Sequence, residues 1–529
     1  MSNGKPYLLG RICEKPKNKR EKTNRYKNDE LIRMADKIGL KINRHESNNN
    51  ICSVIRHVLE ENNINTYDEF DIFALNIQIG KYPSFNDFMM FQPGLYSINK
   101  LFNGIDDINK FSKRVYPLGE NSANGFIRKL NYIDNGKSLD VVLKSNQNAS
   151  SDNPYYEYLA GQCINEFSKY FPFFARTYSL GKYTNTGNWN RFKQIDKAKT
   201  MPHDISAYLE YLNIVNLDQD VQNSCIYSKT ENVFIQFINI KISLNDFFLK
   251  YTNERNGRVE FQEIYEQHLT THILILYLVY STLSKLANYF THYDLHMNNV
   301  VLYEIPNNQY IDLSITMIDG NKITLKSRYL PIIIDYGRSY FNCDALKSGI
   351  VDSTTVMKKV CEYDTRNRVT RVCRKKCGDD VGYSFMGNIN GDGSIANTNE
   401  DDYYINLAKR NISHDLRLLS HLKTEIMFDQ VTWGIPYIGR FVDLLDNINY
   451  ASYHEFGMPE TEHLVPPHMN SINNIHDVAK ALESIIKIPE FINDLNIVLL
   501  SSSNPDSYGN LSIDFSTSLS ATPFHFIKY

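Results

Sequence analysis

Leu31, Met34, Ala35 and Ile38 recur at helical spacing, Gly39 follows as a stop, and Ile51, Val54, Ile55, Val58 and Leu59 form a second apolar face. The pattern predicts two short amphipathic helices joined by a polar loop. Ahead of them, residues 1–27 carry Lys15, Lys17, Lys19, Arg20, Lys22, Arg25 and Lys27 with almost nothing apolar to bury, so a basic flexible arm is expected. Residues 64–105 are mixed and show no clear period. Between about 112 and 240 the alternation becomes that of strands, in Phe126-Ile127-Arg128-Lys129-Leu130, Asp140-Val141-Val142-Leu143-Lys144 and Asn232-Val233-Phe234-Ile235-Gln236, with a helical stretch over 155–170 among them. From Ser243 helices dominate, the longest spanning about 261–290. The Ser- and Asn-rich residues 501–529 are expected to be only partly ordered.

At 529 residues the chain is too long for one core, so two or three folded units are expected. Hydrophobic content of 42% with 22% charged residues fits a globular protein, and a net charge of −3 offers no global attraction for nucleic acid or an acidic membrane. The longest apolar stretch, 273–279, is far short of the roughly 20 residues that cross a bilayer, and the N-terminus is polar and basic; a soluble, unsecreted protein without a membrane span is expected. Eight cysteines are too few for a disulfide framework, which makes reduced thiols the default. The weight of Asn, Tyr, Ile and Lys suggests an AT-rich coding sequence, a habit that resembles proteins of large DNA viruses.

The candidate chemistry lies in two segments. His292-Tyr293-Asp294-Leu295-His296-Met297-Asn298-Asn299 follows the long helix directly and sets Asp294 and Asn299 five apart, while Pro331-Ile332-Ile333-Ile334-Asp335-Tyr336-Gly337 is a buried-strand pattern ending in a carboxylate and a glycine. Phosphoryl transfer needs a carboxylate to orient the attacking hydroxyl, metal ligands to bridge the phosphates and a cation to hold them. The first segment follows the kinase pattern H-x-D-x-x-x-x-N, which makes Asp294 the candidate base, Asn299 and Asp335 the candidate Mg²⁺ ligands, and His292 a structural member of the loop. A capping Asp and His in a polar loop is the plainer alternative. The interval from Asp294 to Asp335 is 41 positions, about twice the usual kinase spacing. Residues 310–316 and 322–326 alternate around Asp319-Gly320, so an inserted hairpin accounts for the extra length.

Upstream, Val141-Val142-Leu143-Lys144 resembles the strand that carries the kinase lysine to the ATP phosphates. Glu157, thirteen residues on, stands where the family places the glutamate that pairs with it, with Glu166 as fallback. A surface lysine and a solvated helix charge are the alternative. Gly119 and Gly125 flank a segment placed where a phosphate-covering loop belongs, although it departs from G-x-G-x-x-G; an ordinary turn explains it equally. Asp415, in Ser413-His414-Asp415-Leu416-Arg417, is placed to accept backbone N–H groups near His292 and Asp294, or to cap a helix.

Over roughly residues 115–420 the chain is similar to the divergent protein-kinase-like family, and most of all to putative serine/threonine protein kinases of giant DNA viruses. The resemblance implies a bilobal α+β fold with a β-rich kinase N-lobe (106–240) and a helical C-lobe (241–500) carrying inserts at 303–330 and 344–402, to which the residue patterns add a basic arm (1–27), a helical N-terminal module (28–105) and a tail (501–529). It implies an ATP- and Mg²⁺-dependent kinase acting on a protein substrate, located in host cytoplasm or virion. Two departures keep alternatives open. His296 stands where protein kinases usually carry a lysine, and no Ala-Pro-Glu follows Asp335, so a small-molecule kinase of the aminoglycoside or choline kinase type is the rival, with a pseudokinase scaffold as a third reading. Cys343, Cys361, Cys373 and Cys377 could ligate zinc, though their spacing lacks C-x₂-C pairs and lone thiols or a redox pair serve as well. The N-terminal helix pair could dock DNA or a protein, or simply form a subdomain.

Overall fold

The computed structural model describes residues 27–43, 46–122, 125–148, 153–213, 220, 224, 227, 229–252, 260–343, 351–363, 371–373, 388–389, 395–396, 407, 410–425, 435–448, 450, 472–500, 506–517, 519 and 523–529. The basic arm, apart from Lys27, and most of the 344–402 insert lie outside them. The chain forms two compact units, one comprising residues up to Met90 with Tyr96–Gly104, the other Phe91–Leu95 with Ile105–Tyr529.

The first unit is helical: α1 (Asn28–Lys37), α2 (Asn48–Glu61), α3 (Tyr67–Ile79), α4 (Phe85–Met90) and α5 (Tyr96–Phe102). Ser47 and Thr66 cap α2 and α3 by accepting the N–H of Asn50 and Glu69. The faces of α1 and α2 close on each other and on α3, with Leu31, Ile51, Ile55, Leu59 and Phe70 in one buried cluster. These apolar stripes are largely buried inside the unit, with Val54 left exposed.

The second unit is α+β. Its elements run β1 (Arg114–Pro117), β2 (Gly125–Asp134), β3 (Lys137–Asn146), α6 (Pro154–Phe167), β4 (Thr177–Tyr183), α7 (Thr186–Lys193), β5 (Lys199–Thr200), β6 (Leu209–Tyr211), β7 (Glu231–Gln236), β8 (Ile240–Ser243), α8 (Leu244–Thr252) and α9 (Glu260–Leu286). They continue β9 (Phe290–Thr291), β10 (Val300–Glu304), β11 (Tyr310–Thr316), β12 (Lys322–Ser327), β13 (Tyr329–Ile333), β14 (Tyr340–Phe341), α10 (Ser353–Val360), β15 (Cys361–Tyr363), β16 (Arg371–Cys373), β17 (Asn388–Ile389) and β18 (Ile395–Ala396). Last come α11 (Arg417–Glu425), α12 (Pro436–Asp446), α13 (Ile475–Ile486), α14 (Pro489–Leu500), β19 (Ser507–Asp514) and β20 (His525–Lys528).

Seven strands form an antiparallel sheet in the order β5-β1-β2-β3-β7-β4-β6. Alternation along β2 buries Phe126, Arg128, Leu130 and Tyr132 on one face. Arg128 is accommodated there because its guanidinium donates to the carbonyls of Phe192 and Lys193 at 2.8 Å, tying β2 to the end of α7. Helix α6 begins with Pro154 at its first turn and Asn153 capping the N–H groups of Tyr155 and Tyr156.

Residues His268–Leu286 of α9 are long and apolar enough to cross a membrane, but 89% of that window is buried inside the fold, as befits a core helix. The C-terminal residues, expected to be partly ordered, supply β19 and β20, which extend the β11–β12 hairpin into a four-stranded sheet; β19 pairs with β11 in parallel.

Candidate active site

Backbone pairing brings the two candidate segments together. Strands β10 and β13 are antiparallel with Val300 opposite Ile333 and Glu304 opposite Tyr329, so Asn299, just before β10, meets the residues just after β13. The Ile334 N–H donates to the Asn299 carbonyl at 3.0 Å. The β11–β12 hairpin leaves from the far end of this pair. Strand β9 pairs with β14, Thr291 opposite Tyr340, and brackets residues 292–299 from the other side.

Asp415 fixes the loop from below its backbone. Its two carboxylate oxygens accept the N–H groups of His292 at 2.9 Å and Tyr293 at 3.0 Å. Burial pushes the Asp415 carboxyl up to about 7, with those two N–H groups pulling the other way. Tyr293 is fully buried and has φ +62°, and Asp335 has φ +68°. Left-handed backbone at non-glycine residues costs on the order of 1–3 kcal/mol each and persists where surrounding contacts over-determine it. His292 supplies one such contact: its Nε2 lies 2.9 Å from the Ile334 carbonyl and its Nδ1 accepts the Asp294 N–H at 3.3 Å, the pattern of a neutral ring protonated on Nε2. Burial holds its pKa below the ordinary value, in keeping with that form.

Lys144 Nζ sits 2.8 Å from Glu157 Oε1 and 2.7 Å from Asp335 Oδ1. Residues on β3, α6 and the end of β13 thus share one ammonium. Burial opposes the charge on Lys144, but Asp335 and Glu157 outweigh it and hold its pKa above the ordinary lysine value. Burial likewise opposes ionisation of Asp335, and Lys144, with His292 and Arg338, brings its pKa below the usual carboxylate range. Glu166, the fallback partner, pairs with Lys169 instead.

Asn299 Nδ2 donates to the Asp294 carbonyl at 2.9 Å, which leaves its Oδ1 as the atom suited to a cation. One carboxylate and one amide oxygen make a small donor set, the kind Mg²⁺ takes when phosphates and water complete its octahedron. Among the described residues no group of three or more His, Cys, Asp or Glu is arranged to hold a metal without such help.

Gly119 and Gly125 flank the turn between β1 and β2. Gly119 has φ +66°, a turn conformation that favours glycine, and a Cβ on Gly125, the first residue of β2, would lie 2.7 Å from the Ser145 carbonyl of β3. Residues 123 and 124 of this turn lie outside the described residues.

Two arginines at this site escaped sequence reasoning. Arg417 Nη1 lies 2.7 Å from Asp294 Oδ1, and Arg338 Nη1 lies 3.7 Å from Asp294 Oδ2. His296 Nε2 is 3.9 Å from Asp294 Oδ1, and burial holds its pKa down. Arg338 directly follows Gly337 and Arg417 stands two residues after Asp415, so each was adjacent to a residue already singled out.

The zinc set requires a correction. Cys343 is disulfide-bonded to Cys163 of α6, with Cα atoms 5.7 Å apart, and so has no thiolate to offer a metal. Cys361 and Cys373 are opposite one another in β15 and β16, while Cys377 lies outside the described residues. The expectation of reduced thiols fails for Cys163 and Cys343, and for Cys52, which is also disulfide-bonded. The Cys163–Cys343 link runs from α6, the helix of Glu157, to the chain beyond Asp335. A hydrogen bond from the Tyr156 hydroxyl to the Ser339 carbonyl at 2.6 Å makes the same connection. Compared with protein-family models and with curated proteins, the chain matches none.

Proposed function

We propose that the chain is an ATP- and Mg²⁺-dependent phosphotransferase of protein-kinase-like bilobal design, transferring the γ-phosphoryl group to a serine or threonine hydroxyl of a protein. The observation that carries this reading is the ammonium of Lys144 held between Glu157 and Asp335, next to a loop that presents Asp294 and Asn299. A partly buried lysine on a strand, restrained by a helix glutamate, is suited to hold phosphate oxygens.

Asp335 and Asn299 would hold Mg²⁺, which would supply neutralisation of phosphate charge, and Lys144, kept in place by Glu157, would be the cation that holds phosphate oxygens. Asp294 orients the acceptor hydroxyl and takes its proton. Arg417 keeps the Asp294 carboxylate in place, and Asp415 fixes the backbone that carries it.

A second reading keeps this chemistry with a small-molecule acceptor. Its support is His296, 3.9 Å from Asp294 where protein kinases usually carry a lysine, and the lack of an Ala-Pro-Glu after Asp335.

The test is transfer of labelled phosphate from Mg-ATP by purified protein, with and without a protein mixture, beside Asp294→Asn. Loss of the base should cost about 10²–10⁴-fold. Label on protein that disappears in the variant supports the protein kinase; turnover without protein labelling moves the acceptor to a small molecule. Absence of any transfer, together with no thermal stabilisation by nucleotide, would overturn the enzyme reading in favour of a scaffold.

A further inference from the structure

Helix α7 fastens both the end of β3, just beyond Lys144, and the turn between β1 and β2. Its Trp189 Nε1 donates to the carbonyl of Asn146, the last residue of β3, at 2.9 Å, and Lys193 Nζ donates to the Gln147 carbonyl at 3.0 Å. The last carbonyls of a helix lack intrahelical donors and carry the negative end of its dipole. Arg128 of β2 meets them: Nε donates to Phe192 and Nη2 to Lys193, each at 2.8 Å. The guanidinium also donates to the Ile127 carbonyl at 2.8 Å and to Asn121 Oδ1 at 3.2 Å. Arg128 is 1% exposed, and among the described residues all of these acceptors are neutral. The end of α7 thus takes the place of a carboxylate in making its burial tolerable.

Asn121 uses both ends of its amide in this arrangement. While Oδ1 accepts from Arg128, Nδ2 donates to the Lys193 carbonyl at 3.1 Å. The turn to which it belongs is closed by the Leu118 N–H on the Ile127 carbonyl at 3.1 Å and the Ser122 N–H on the Gly125 carbonyl at 2.8 Å. Those local bonds set the shape of the turn, and the Asn121 amide adds the link that sets its tilt against the sheet. Cross-strand register puts Ile127 opposite Lys144, so the turn joins β2 only two residues before the level of that lysine. Alternation along β2 points Arg128 to the other face, so the turn is gripped from the side away from Lys144.

We propose that Asn121 is a positioning residue for the nucleotide: gripped by Arg128 and the end of α7, it holds the β1–β2 turn where its backbone meets the phosphates of Mg-ATP. The inference rests on the phosphotransferase reading and adds to it a residue and a helix that do not touch Lys144, Asp294 or Asp335. A turn anchored beforehand loses less freedom when phosphate arrives, and such preorganisation is read as affinity. Asn121 is exposed, so truncating it leaves the core intact.

The experiment titrates the full chain with a fluorescent Mg-ATP analogue, and with adenosine as competitor, in wild type, Asn121→Ala and Asn188→Ala. Asn188 is the control, because its side chain bonds Thr184 and the Ala207 carbonyl at the other end of α7. Asn121→Ala should weaken Mg-ATP about three- to tenfold, the size of one hydrogen bond's net contribution. Adenosine, which has no phosphate, should bind as before, and the melting temperature should not move. Asn188→Ala should leave both affinities unchanged. A merely structural role for Asn121 would weaken adenosine along with ATP. Unchanged Mg-ATP affinity in Asn121→Ala, or an equal loss for both ligands, would overturn the inference and leave the phosphotransferase reading standing. A wild-type chain that binds neither ligand overturns both. Should adenosine compete too weakly to be read, the difference in Mg-ATP affinity between the two asparagine variants decides.

Discussion

The Arg417 guanidinium donates to Asp294 Oδ1 at 2.7 Å, although the two residues are 123 positions apart in sequence. A carboxylate proposed as a base is thus held by a cation from the start of α11. If Asp294 is the base, Arg417→Ala should reduce phosphate transfer about 10–10²-fold by letting the carboxylate wander, since misplacement of a reacting group has effects of that order. Arg417→Lys should retain more activity. The same Ala variant should lose on the order of 1.5–3 kcal/mol of stability, as expected for a charge-assisted hydrogen bond. Steady-state kinetics and denaturant titration read the two effects separately, and wild-type rates in the Ala variant would show that Asp294 needs no such tether.

Lys144 is the residue on which three elements converge, so its loss should be felt twice. Lys144→Met is expected to abolish transfer and to leave the buried Glu157 and the partly exposed Asp335 without their shared cation. Removing one side of a fully buried ion pair destabilises by about 3–5 kcal/mol, and solvent access to Asp335 puts the expected loss below that range. Glu157→Gln keeps a hydrogen-bond acceptor and should be milder in both respects. A Lys144→Met protein that melts and turns over like wild type would remove the ground for the proposed phosphate site.

The disulfide between Cys163 and Cys343 closes a loop of 180 positions. Cross-links of long loops stabilise by about 2–5 kcal/mol. We expect dithiothreitol to lower the guanidinium midpoint of the oxidised protein, and a Cys163→Ala/Cys343→Ala variant to show a lower midpoint already and a smaller further response. The variant comparison is needed because Cys52 is disulfide-bonded as well.

His272 on α9 is buried, with Nδ1 2.8 Å from the His268 carbonyl, and burial pushes its pKa down to about 4. An unfolded chain protonates this ring near its ordinary value of about 6.5, whereas the folded protein does so only near 4, so between those values the unfolded state binds more protons. Stability from this group is therefore full above about 6.5 and is lost as pH falls towards 4, by on the order of 3 kcal/mol. Urea titrations from pH 7 to pH 4 should show the loss, and His272→Gln should flatten that part of the profile.

Much of the local structure was legible because its cause is local. The alternation in residues 126–130 and 140–144 marks β2 and β3, and the interval between Asp294 and Asp335 contains the β11–β12 hairpin that its turn signal announced. Helix α3 was opaque because Phe70, Ile72, Phe73, Ala74, Leu75, Ile77 and Ile79 surround the axis and blur the period. Other features are non-local. Nothing in Ser507-Tyr508-Gly509 indicates a parallel partner nearly 200 positions upstream, and eight cysteines leave the partner of Cys343 undetermined. The arginines around Asp294 belong to the same class, because their role depends on which backbone segments meet.

The parallel pairing of β11 with β19 also sets an order of events. Strands β11 and β12 form a hairpin by themselves, but the outer edge of β11, from Tyr310 to Thr316, stays open until residues 507–514 have been synthesised. During that delay the nascent chain presents an unpaired strand edge with Ile311, Leu313 and Ile315 on one side, the kind of surface that recruits other chains. Any protein ending before residue 507 would keep that edge permanently, and its yield should be limited by self-association even where the contacts of Lys144 with Glu157 and Asp335 are intact.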